Sequence, residues 1–284
     1  MSSTAKRIVR RALPRAVYGV YRKRRVAYLV DRYQPRQVSH VYGGTPLRLE
    51  LADSLADGWY DRDWPPLPEL EILKRNGLQQ GSVVFDVGAH QGIVALMLAD
   101  VVGRDGRIIA VEAEPHNARA AERNRKLNGA DNVTVLHAAG AARAGSLRFT
   151  EGLNGRVARH GGRLGTVEVP AVAVDDLAQR YGRPDCVVID VEGFEASVLA
   201  GARETIRHGR TLFLVEVHVG HGLDRAPQQI ASCFGRGYRL LAAPEPSDGR
   251  PFRDYREDSE INVDRFFLVA VPELRRGTGT AGEA

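Results

Sequence analysis

Residues 83–92 read VVFDVGAHQG, an apolar run that contains one acid, Asp86, and ends in two glycines four residues apart. A continuous apolar run of this length is typical of a strand that is buried on both faces of a parallel sheet. The glycines, Gly88 and Gly92, predict a tight turn from that strand into a helix. The acid has no lysine or arginine beside it in the sequence, which indicates that a ligand approaches it.

After residue 81 the chain continues as apolar strands that alternate with helices. This alternation predicts an α/β fold with a parallel, doubly wound sheet and helices on both faces. Residues 141–170 break the rhythm: SLRFT and TVEVPAV, which ends just beyond them, predict a hairpin-like insertion. The strands predicted for the sheet are 82–88, 107–114, 132–138, 186–191, 211–218, 238–243 and 265–271.

Four of these strands have an acid near their carboxyl end. Because parallel sheets bind ligands beyond the carboxyl ends of their strands, we expect the four side chains to lie on one rim around a ligand. Packing alone does not explain four acids in such positions. They are Asp86, Glu112, Asp190 and Glu216.

The basic character of the chain belongs to its first 40 residues. They carry eleven lysines or arginines and one acid, Asp31, whereas the rest of the 284 residues holds 29 basic and 34 acidic side chains. This distribution argues against a nucleic-acid partner for the globular part. Basic residues mixed with apolar and aromatic ones predict a helix that lies on an anionic membrane or against an acidic partner. The alternative is a solvated helix that packs loosely, or a partly disordered arm.

Composition limits the compartment and the chemistry. No apolar run reaches eighteen residues, which excludes a spanning helix by sequence, and no secretory signal pattern is evident. Cys186 and Cys233 are too few for a disulfide framework or a cysteine-based zinc site. These features predict a cytoplasmic protein, with membrane association through residues 1–40 left open.

The turn after residue 87 differs from a dinucleotide-binding turn. That motif, G-x-G-x-x-G, brings the backbone close to a diphosphate, which Asp86 would repel. Glu112 lies 24 residues after Gly88, where an acid commonly accepts hydrogen bonds from ribose hydroxyls. A ligand with a ribose, a positive centre and no diphosphate fits both acids, and S-adenosylmethionine is such a ligand. A tight turn that binds nothing is the alternative.

Five blocks together carry a family resemblance: VFDVGAHQG, IIAVEAEP, VPAVAVDDL, VVIDVEGFEASVLAGA and LFLVEVH. In this order they resemble the FkbM family of S-adenosylmethionine-dependent methyltransferases over residues 58–272. The resemblance implies a Rossmann-like class I methyltransferase sheet of seven strands, the last antiparallel, and methylation of a hydroxyl oxygen. Outside the resemblance, residues 1–57 are predicted to form a basic, helical extension in which GGTPLRLE allows a short strand, and residues 273–284 a disordered tail.

The resemblance also implies a set of cofactor-binding residues. The turn would hold the methionine part of the cofactor, Glu112 its ribose, and the end of the third strand its adenine. His137 at that strand end is expected to be a plain strand-end histidine, with contact to adenine as the alternative. Two positions depart from the family pattern, since the family often has Asn at His90 and Lys at Val188. The set is Asp86, Gly88, Ala89, His90, Gly92, Glu112, Ala113, His137 and Ala138.

Methyl transfer to a hydroxyl benefits from a base that removes the hydroxyl proton. The catalytic candidates are Asp190, Glu192, Glu216 and His218. His218 is the best base by intrinsic pKa, although it can equally serve only as a hydrogen-bond partner of Asp190 or Glu192. The same four residues are an oxygen-rich set that suits Mg²⁺. Glu195 follows the fourth strand on the same rim and is a further candidate base, but a solvated helix charge is the expected role.

The predicted function is O-methylation of a small natural product or a sugar. A non-catalytic domain that binds a membrane or a partner through its basic arm is the alternative, and the missing third glycine disfavours a dinucleotide oxidoreductase. Trp59, Tyr60 and Trp64 are predicted to be core aromatics, with stacking on a ligand as the other interpretation. Residues 151–166 are predicted to cover the acceptor.

Overall fold

The computed structural model describes residues 15–150, 152–153, 156–157, 166–218, 227–244, 251–255 and 265–273. The predicted acceptor loop therefore lies mostly outside the described residues. All but the first residue of the predicted disordered tail lies outside them as well.

In chain order the elements are α1 Arg15–Arg32, β1 Arg36–Tyr42, β2 Thr45–Leu51, α2 Ser54–Tyr60, α3 Pro68–Arg75, β3 Val83–Val87, α4 Ile93–Val102, β4 Arg107–Glu112, α5 Pro115–Leu127, β5 Val133–His137, β6 Ala139–Gly140, β7 Gly145–Thr150, β8 Arg156–Val157, β9 Val167–Val172, α6 Val174–Tyr181, β10 Cys186–Ile189, α7 Glu195–Ala200, α8 Arg203–Arg207, β11 Leu212–His218, α9 Pro227–Ser232, β12 Tyr238–Ala243, β13 Arg253–Asp254 and β14 Arg265–Pro272.

The central sheet has the order β13-β12-β14-β11-β10-β3-β4-β5. Its strands from β11 to β5 are parallel, whereas β14, the last strand of the chain, runs antiparallel to both of its neighbours. The prediction of a seven-stranded sheet with an antiparallel last strand is confirmed. The short edge strand β13 is an addition that the sequence pattern did not indicate.

The insertion forms a second sheet, with the order β6-β9-β7-β8. Strands β7 and β9 pair antiparallel, as the hairpin-like pattern predicted. This sheet follows β5 directly, so it stands beside the carboxyl end of the parallel sheet.

The segment before the methyltransferase-like pattern is only partly helical. Residues 15–32 form α1, but β1 and β2 form an antiparallel hairpin. The short strand predicted in GGTPLRLE is confirmed by β2, whereas the expectation of a helical extension is wrong for β1. The reason for the hairpin is a period-two pattern in TPLRLEL, which buries Leu47, Leu49 and Leu51 on one face.

Apolar side chains cover both faces of the central sheet. One face packs against α6, α7, α8 and α9, and the other against α3, α4 and the β1–β2 hairpin. Leu49 and Leu51 belong to the same buried cluster as Val84 and Val188. The hydrophobic core is therefore continuous across the predicted domain boundary at residue 57, which itself stays a prediction.

Among the described helices, none combines the length and the apolar character that crossing a membrane requires.

Candidate functional site

The four strand-end acids lie on neighbouring parallel strands, in the spatial order β11, β10, β3 and β4. Their carboxyl ends therefore form one rim, as predicted. The rim is divided into two groups of side chains. Asp86 and Glu112 form one group, and Asp190 and Glu216 lie with His218 in the other.

Asp86 is buried within β3, with 3% of its surface exposed. Its neighbours in register are Ala110 on β4 and Val188 on β10, and its Oδ2 atom has no hydrogen-bond partner among the described residues. Burial, with a smaller effect of the Glu112 charge, raises the pKa of Asp86 to about 7. A buried acceptor without a partner is costly in a folded protein, which indicates that a ligand donates to it.

Glu112 is also buried, and its carboxylate organises the backbone around the turn. Oε2 accepts the main-chain N–H of His90 at 2.7 Å, and Oε1 accepts that of Glu114 at 2.6 Å. Burial raises the pKa of Glu112 to about 7. A carboxylate has about four lone-pair positions, so each oxygen can accept one further hydrogen bond.

The turn between β3 and α4 depends on its two glycines. Gly88 has a φ of +100°, and a Cβ there would lie 1.8 Å from the carbonyl oxygen of Asp190. Gly92 has a φ of +88° and precedes the first residue of α4. Gly88 and Ala89 donate their N–H groups to the carbonyl of Val111, at 2.8 and 3.1 Å. The turn is therefore held against both neighbouring strands.

His90 lies inside this turn with a φ of +49°. Its Nδ1 atom is 2.7 Å from the hydroxyl of Tyr60, and its Nε2 atom is 3.2 Å from the carbonyl oxygen of Leu153. Burial lowers the pKa of His90 to about 4, so the ring is neutral at pH 7.

A buried polar network supports the turn from the N-terminal side. Gln91 donates to the carboxylate of Asp53 and to the amide oxygen of Asn117, at 2.9 and 3.2 Å. His116 lies 3.0 Å from Asp53 and 3.4 Å from Glu114. Burial opposes the charge of His116, but these two carboxylates raise its pKa to about 9. No sequence pattern predicts this network, because its members are polar residues far apart in the chain.

The residues predicted to lie near adenine follow β4 and end β5. The ring of His137 is exposed and lies 3.2 Å from the carbonyl oxygen of Ala113. Ala138 is buried, and its N–H donates to the carbonyl of Glu112 at 3.0 Å. These three residues lie beside Glu112, where the prediction places them, but their contact with adenine stays a prediction.

The second group surrounds His218, at the end of β11. Its Nδ1 atom lies 2.9 Å from Glu195 Oε1. Its Nε2 atom faces three more carboxylates, at 3.4 Å from Glu216, 3.8 Å from Glu192 and 3.9 Å from Asp190. The sequence-predicted catalytic candidates are thus brought together.

These carboxylates fix the charge of His218. Burial alone would lower the pKa of His218, but the hydrogen bonds of Glu195 and Glu216 outweigh it and raise the pKa to about 11. His218 is therefore an imidazolium at neutral pH. Desolvation and the Glu216 charge raise the pKa of Asp190 well above its usual range. Asp190 Oδ1 has no hydrogen-bond partner within the described part of the chain.

Glu195 corrects one expectation. It is the first residue of α7 and is fully buried, not a solvated helix charge. Besides its contact with His218, its Oε1 accepts the N–H of Gly193 at 2.8 Å. Its burial depends on a histidine 23 residues further along the chain, which no local pattern reveals.

Asp190, Glu192 and His218 each offer one ligand atom, and these atoms lie within 4.8 Å of one another. This spacing is compatible with a divalent cation. Glu192 has a φ of +53°, a strained value for a residue other than glycine.

Trp59, Tyr60 and Trp64 form an aromatic cluster beside the turn. Tyr60 is buried and its ring lies 5.7 Å from that of Trp64, whereas Trp59 is 38% exposed and contacts the ring of His90 at 5.5 Å. Tyr60 and Trp64 therefore pack as core aromatics, as predicted, while Trp59 borders the rim.

Comparison with known proteins gives curated relatives that are methyltransferases. A protein-L-isoaspartate O-methyltransferase of Ignicoccus hospitalis is 27% identical over 107 residues, which is 37% of this chain and 47% of the relative. Protein-L-isoaspartate O-methyltransferase 2 of Archaeoglobus fulgidus is 36% identical over 125 residues, 44% of this chain and 52% of the relative. The chain thus spans about half the length of these curated relatives.

Among solved structures, a methyltransferase FkbM from Methylobacillus flagellatus matches 66% of this chain and 43% of its own, with 19% identity and a TM-score of 0.43. The family model of the methyltransferase FkbM domain matches residues 86–263, which is more than half of the chain. This match begins at Asp86 and contains both groups of rim residues. The chain therefore belongs to the FkbM family of S-adenosylmethionine-dependent methyltransferases.

Proposed function

We propose that this protein transfers a methyl group from S-adenosylmethionine to a hydroxyl oxygen of a small natural product or a sugar. The observation that carries the proposal is the buried carboxylate of Asp86, whose Oδ2 atom has no partner among the described residues, next to Glu112 on the same rim. A cationic nucleoside without a diphosphate satisfies both acids.

The residues on the rim fit this cofactor. Asp86 would face its positively charged amino-acid part, and the backbone around Gly88, Ala89 and Gly92 would hold that part close to the strand ends. Glu112 has free lone pairs for the ribose hydroxyls. When bound, S-adenosylmethionine supplies an electrophilic methyl group on a sulfonium centre. The role of the protein is to align the acceptor oxygen with that methyl group and to exclude water.

On the acceptor side, Asp190 is better suited than His218 to take the hydroxyl proton. His218 already carries its proton at neutral pH, because its raised pKa is about 11. Asp190 has an oxygen free of hydrogen bonds in the described structure, and its raised pKa brings its basicity closer to the working pH. In this arrangement Glu195 and Glu216 hold His218 as a cation, which stabilises the ionised form of Asp190.

The charge of the rim favours a hydroxyl over a carboxylate as the acceptor. Four carboxylates surround the position next to His218, against two described cations, His218 and Arg265, which pairs with Glu216 at 2.8 Å. A carboxylate acceptor, as the name of the isoaspartate-methylating relatives implies for them, would be repelled by such a group.

The test uses tritium-labelled S-adenosylmethionine with a panel of sugars and polyhydroxylated small molecules, and an isoaspartyl peptide in parallel. We expect label in the hydroxyl compounds and an Asp190→Asn variant that loses about 100- to 1,000-fold in kcat with unchanged cofactor affinity. Asp176→Asn, a change at an exposed acid in the first turn of α6, is the matched control. A fully active Asp190→Asn variant would show that Asp190 is not the base. Label found only in the isoaspartyl peptide would contradict a hydroxyl acceptor.

A second candidate is a membrane-binding role for residues 1–40, with or without catalysis. Within this segment, the sequence of α1 holds six lysines or arginines and one acid. Tyr28 in α1 is 54% exposed, with the Arg32 guanidinium over its ring. Basic and exposed aromatic residues on one helix suit an anionic lipid surface. The protein should sediment together with phosphatidylserine vesicles, and loss of this binding in high salt would support electrostatic contact. No binding to such vesicles would rule this role out.

A further inference from the structure

Gly152 and Leu153, at the start of the segment after β7, are fastened to the residues around the predicted cofactor turn. The N–H of Gly152 donates to Glu114 Oε2 at 2.8 Å. The carbonyl oxygen of Leu153 accepts from Asn117 Nδ2 at 3.0 Å and lies 3.2 Å from His90 Nε2. Asn117 and Glu114 are buried, so water does not compete freely for these bonds.

The partners of the His90 ring settle which nitrogen carries the proton. A carbonyl oxygen only accepts hydrogen bonds, so Nε2 carries the hydrogen that reaches Leu153. Nδ1 then accepts from the hydroxyl of Tyr60 at 2.7 Å. Because the ring is neutral at pH 7, this single tautomer satisfies both partners at once.

The backbone of His90 adds a third connection, from its N–H to Glu112 Oε2 at 2.7 Å. One residue thus joins α2, the Gly152–Leu153 segment and the carboxylate that is assigned to the ribose. We propose that His90 is a positioning residue that fastens Gly152–Leu153 against the cofactor turn and so closes the nucleoside side of the site. This inference rests on the proposed function.

Closure of this kind slows the exchange of the cofactor, because the segment must detach before a nucleoside leaves. Two substitutions distinguish the two hydrogen bonds of the His90 ring, one to Tyr60 and one to Leu153. Asn has its amide at the depth of Nδ1, so His90→Asn keeps an acceptor for Tyr60 and tolerates the positive φ, but does not reach Leu153. Gln places its amide nitrogen about where Nε2 lies, so His90→Gln keeps a donor for Leu153.

The first experiment measures hydrogen exchange at the Gly152 amide in the protein without cofactor. Loss of the Leu153 bond should speed exchange about five- to tenfold in His90→Asn, because one hydrogen bond contributes about 1 kcal/mol. Exchange in His90→Gln should stay within about twofold of the wild type. His208→Asn, the same change at an exposed histidine, is the control.

The second experiment measures dissociation of S-adenosylmethionine by stopped flow. Release should be about five- to tenfold faster in His90→Asn, with His90→Gln close to the wild type. The proposal is overturned if His90→Asn behaves as the wild type in either experiment, or if His90→Gln behaves as His90→Asn. A wild-type protein that binds no S-adenosylmethionine would instead refute the proposed function, and the exchange experiment would still decide whether His90 fastens the segment.

Discussion

The two halves of the rim hold their carboxylates in opposite ways. At the ends of β3 and β4, Asp86 and Glu112 form no ion pair with a described residue, and the pKa of each is raised to about 7. At the end of β11, four carboxylates surround His218, whose pKa is raised to about 11.

This difference shows where each half obtains its positive charge. The β10–β11 half contains cations of its own, His218 and Arg265, which offset part of its negative charge before any acceptor arrives. The β3–β4 half has negative charge that burial makes costly and that no ion pair among the described residues neutralises, since His116 acts on Glu112 only as a minor influence; a cation from outside is therefore expected. A sulfonium nucleoside with an ammonium group is such a cation. The comparison predicts that removing charge from the two halves has opposite effects on stability.

The largest effect is expected from His218→Gln. This change leaves several carboxylates without their cation, and breaking a buried ion pair of this kind costs about 3–5 kcal/mol in the free energy of unfolding. Urea denaturation at pH 7 measures it, with the exposed His208→Gln as the control. Stability within 1 kcal/mol of the wild type would show that His218 is not the cation that holds this group.

The same histidine gives a pH dependence. The folded pKa of His218 lies above the ordinary value of 6.5, so its contribution is complete below about pH 6.5 and is lost as pH rises toward 11. The contribution of His116 to stability is lost in the same way, but at a lower pH than that of His218, because the pKa of His116 is about 9. Above pH 9 the decline in stability should therefore be weaker in His218→Gln than in the wild type. An unchanged decline would contradict the raised pKa of His218.

Next in size is the effect of Glu112→Gln on cofactor binding. Glutamine keeps one acceptor oxygen but turns an NH₂ group toward a backbone N–H that Glu112 accepts in the wild type, and it weakens the ribose contacts. We expect affinity for S-adenosylmethionine to fall about 100-fold, since hydrogen bonds to charged groups contribute about 1.5–3 kcal/mol each. Calorimetry measures it, with Glu204→Gln on the exposed side of α8 as the control. An affinity within threefold of the wild type would remove Glu112 from the ribose site.

Asp86→Asn should have the opposite effect on stability. The folded pKa of Asp86, about 7, lies above its ordinary value of 3.8, so the stabilising protonated form is complete below about pH 4 and is lost as pH rises through 7. At pH 8 the free energy of unfolding of Asp86→Asn should therefore be about 1–3 kcal/mol higher than that of the wild type, because the amide is neutral. At pH 4 the gain should vanish. A variant less stable than the wild type at pH 8 would show that Asp86 has a cation inside the protein.

The smallest effect is expected from divalent metals. Asp190, Glu192 and His218 are close enough for a metal, but His218 is protonated at neutral pH, so its ring nitrogens offer no lone pair to a metal ion. Millimolar Mg²⁺ or Mn²⁺ should therefore shift the melting temperature of the chelator-treated protein by less than about 1 °C, which corresponds to only a few tenths of a kcal/mol. A shift of several degrees that Asp190→Asn abolishes would instead establish a metal site.

The parallel sheet could be predicted from the sequence because each of its buried strands is a continuous apolar run, which is visible in the sequence without knowledge of the neighbouring strands. The positions of Asp86 and Glu112 followed from where those runs end. Local pattern did not predict the burial of Glu195, which depends on His218 from another strand. It also missed the contacts of Gln91 and His116 with Asp53, because pairings of distant polar residues leave no periodic signal.

The most direct test of the central claim is whether S-adenosylmethionine binding releases protons from the β3–β4 half. A bound cation should lower the pKa of Asp86 from about 7, so at pH 7 about half a proton should leave per cofactor. Calorimetry at pH 7 in two buffers of different ionisation enthalpy measures this number. Val188→Lys places an ammonium on the strand position in register with Asp86, and it should abolish the release, whereas Val188→Met should not. Buffer-dependent heat that disappears in Val188→Lys is the predicted result, and buffer-independent heat, or none, would contradict the account.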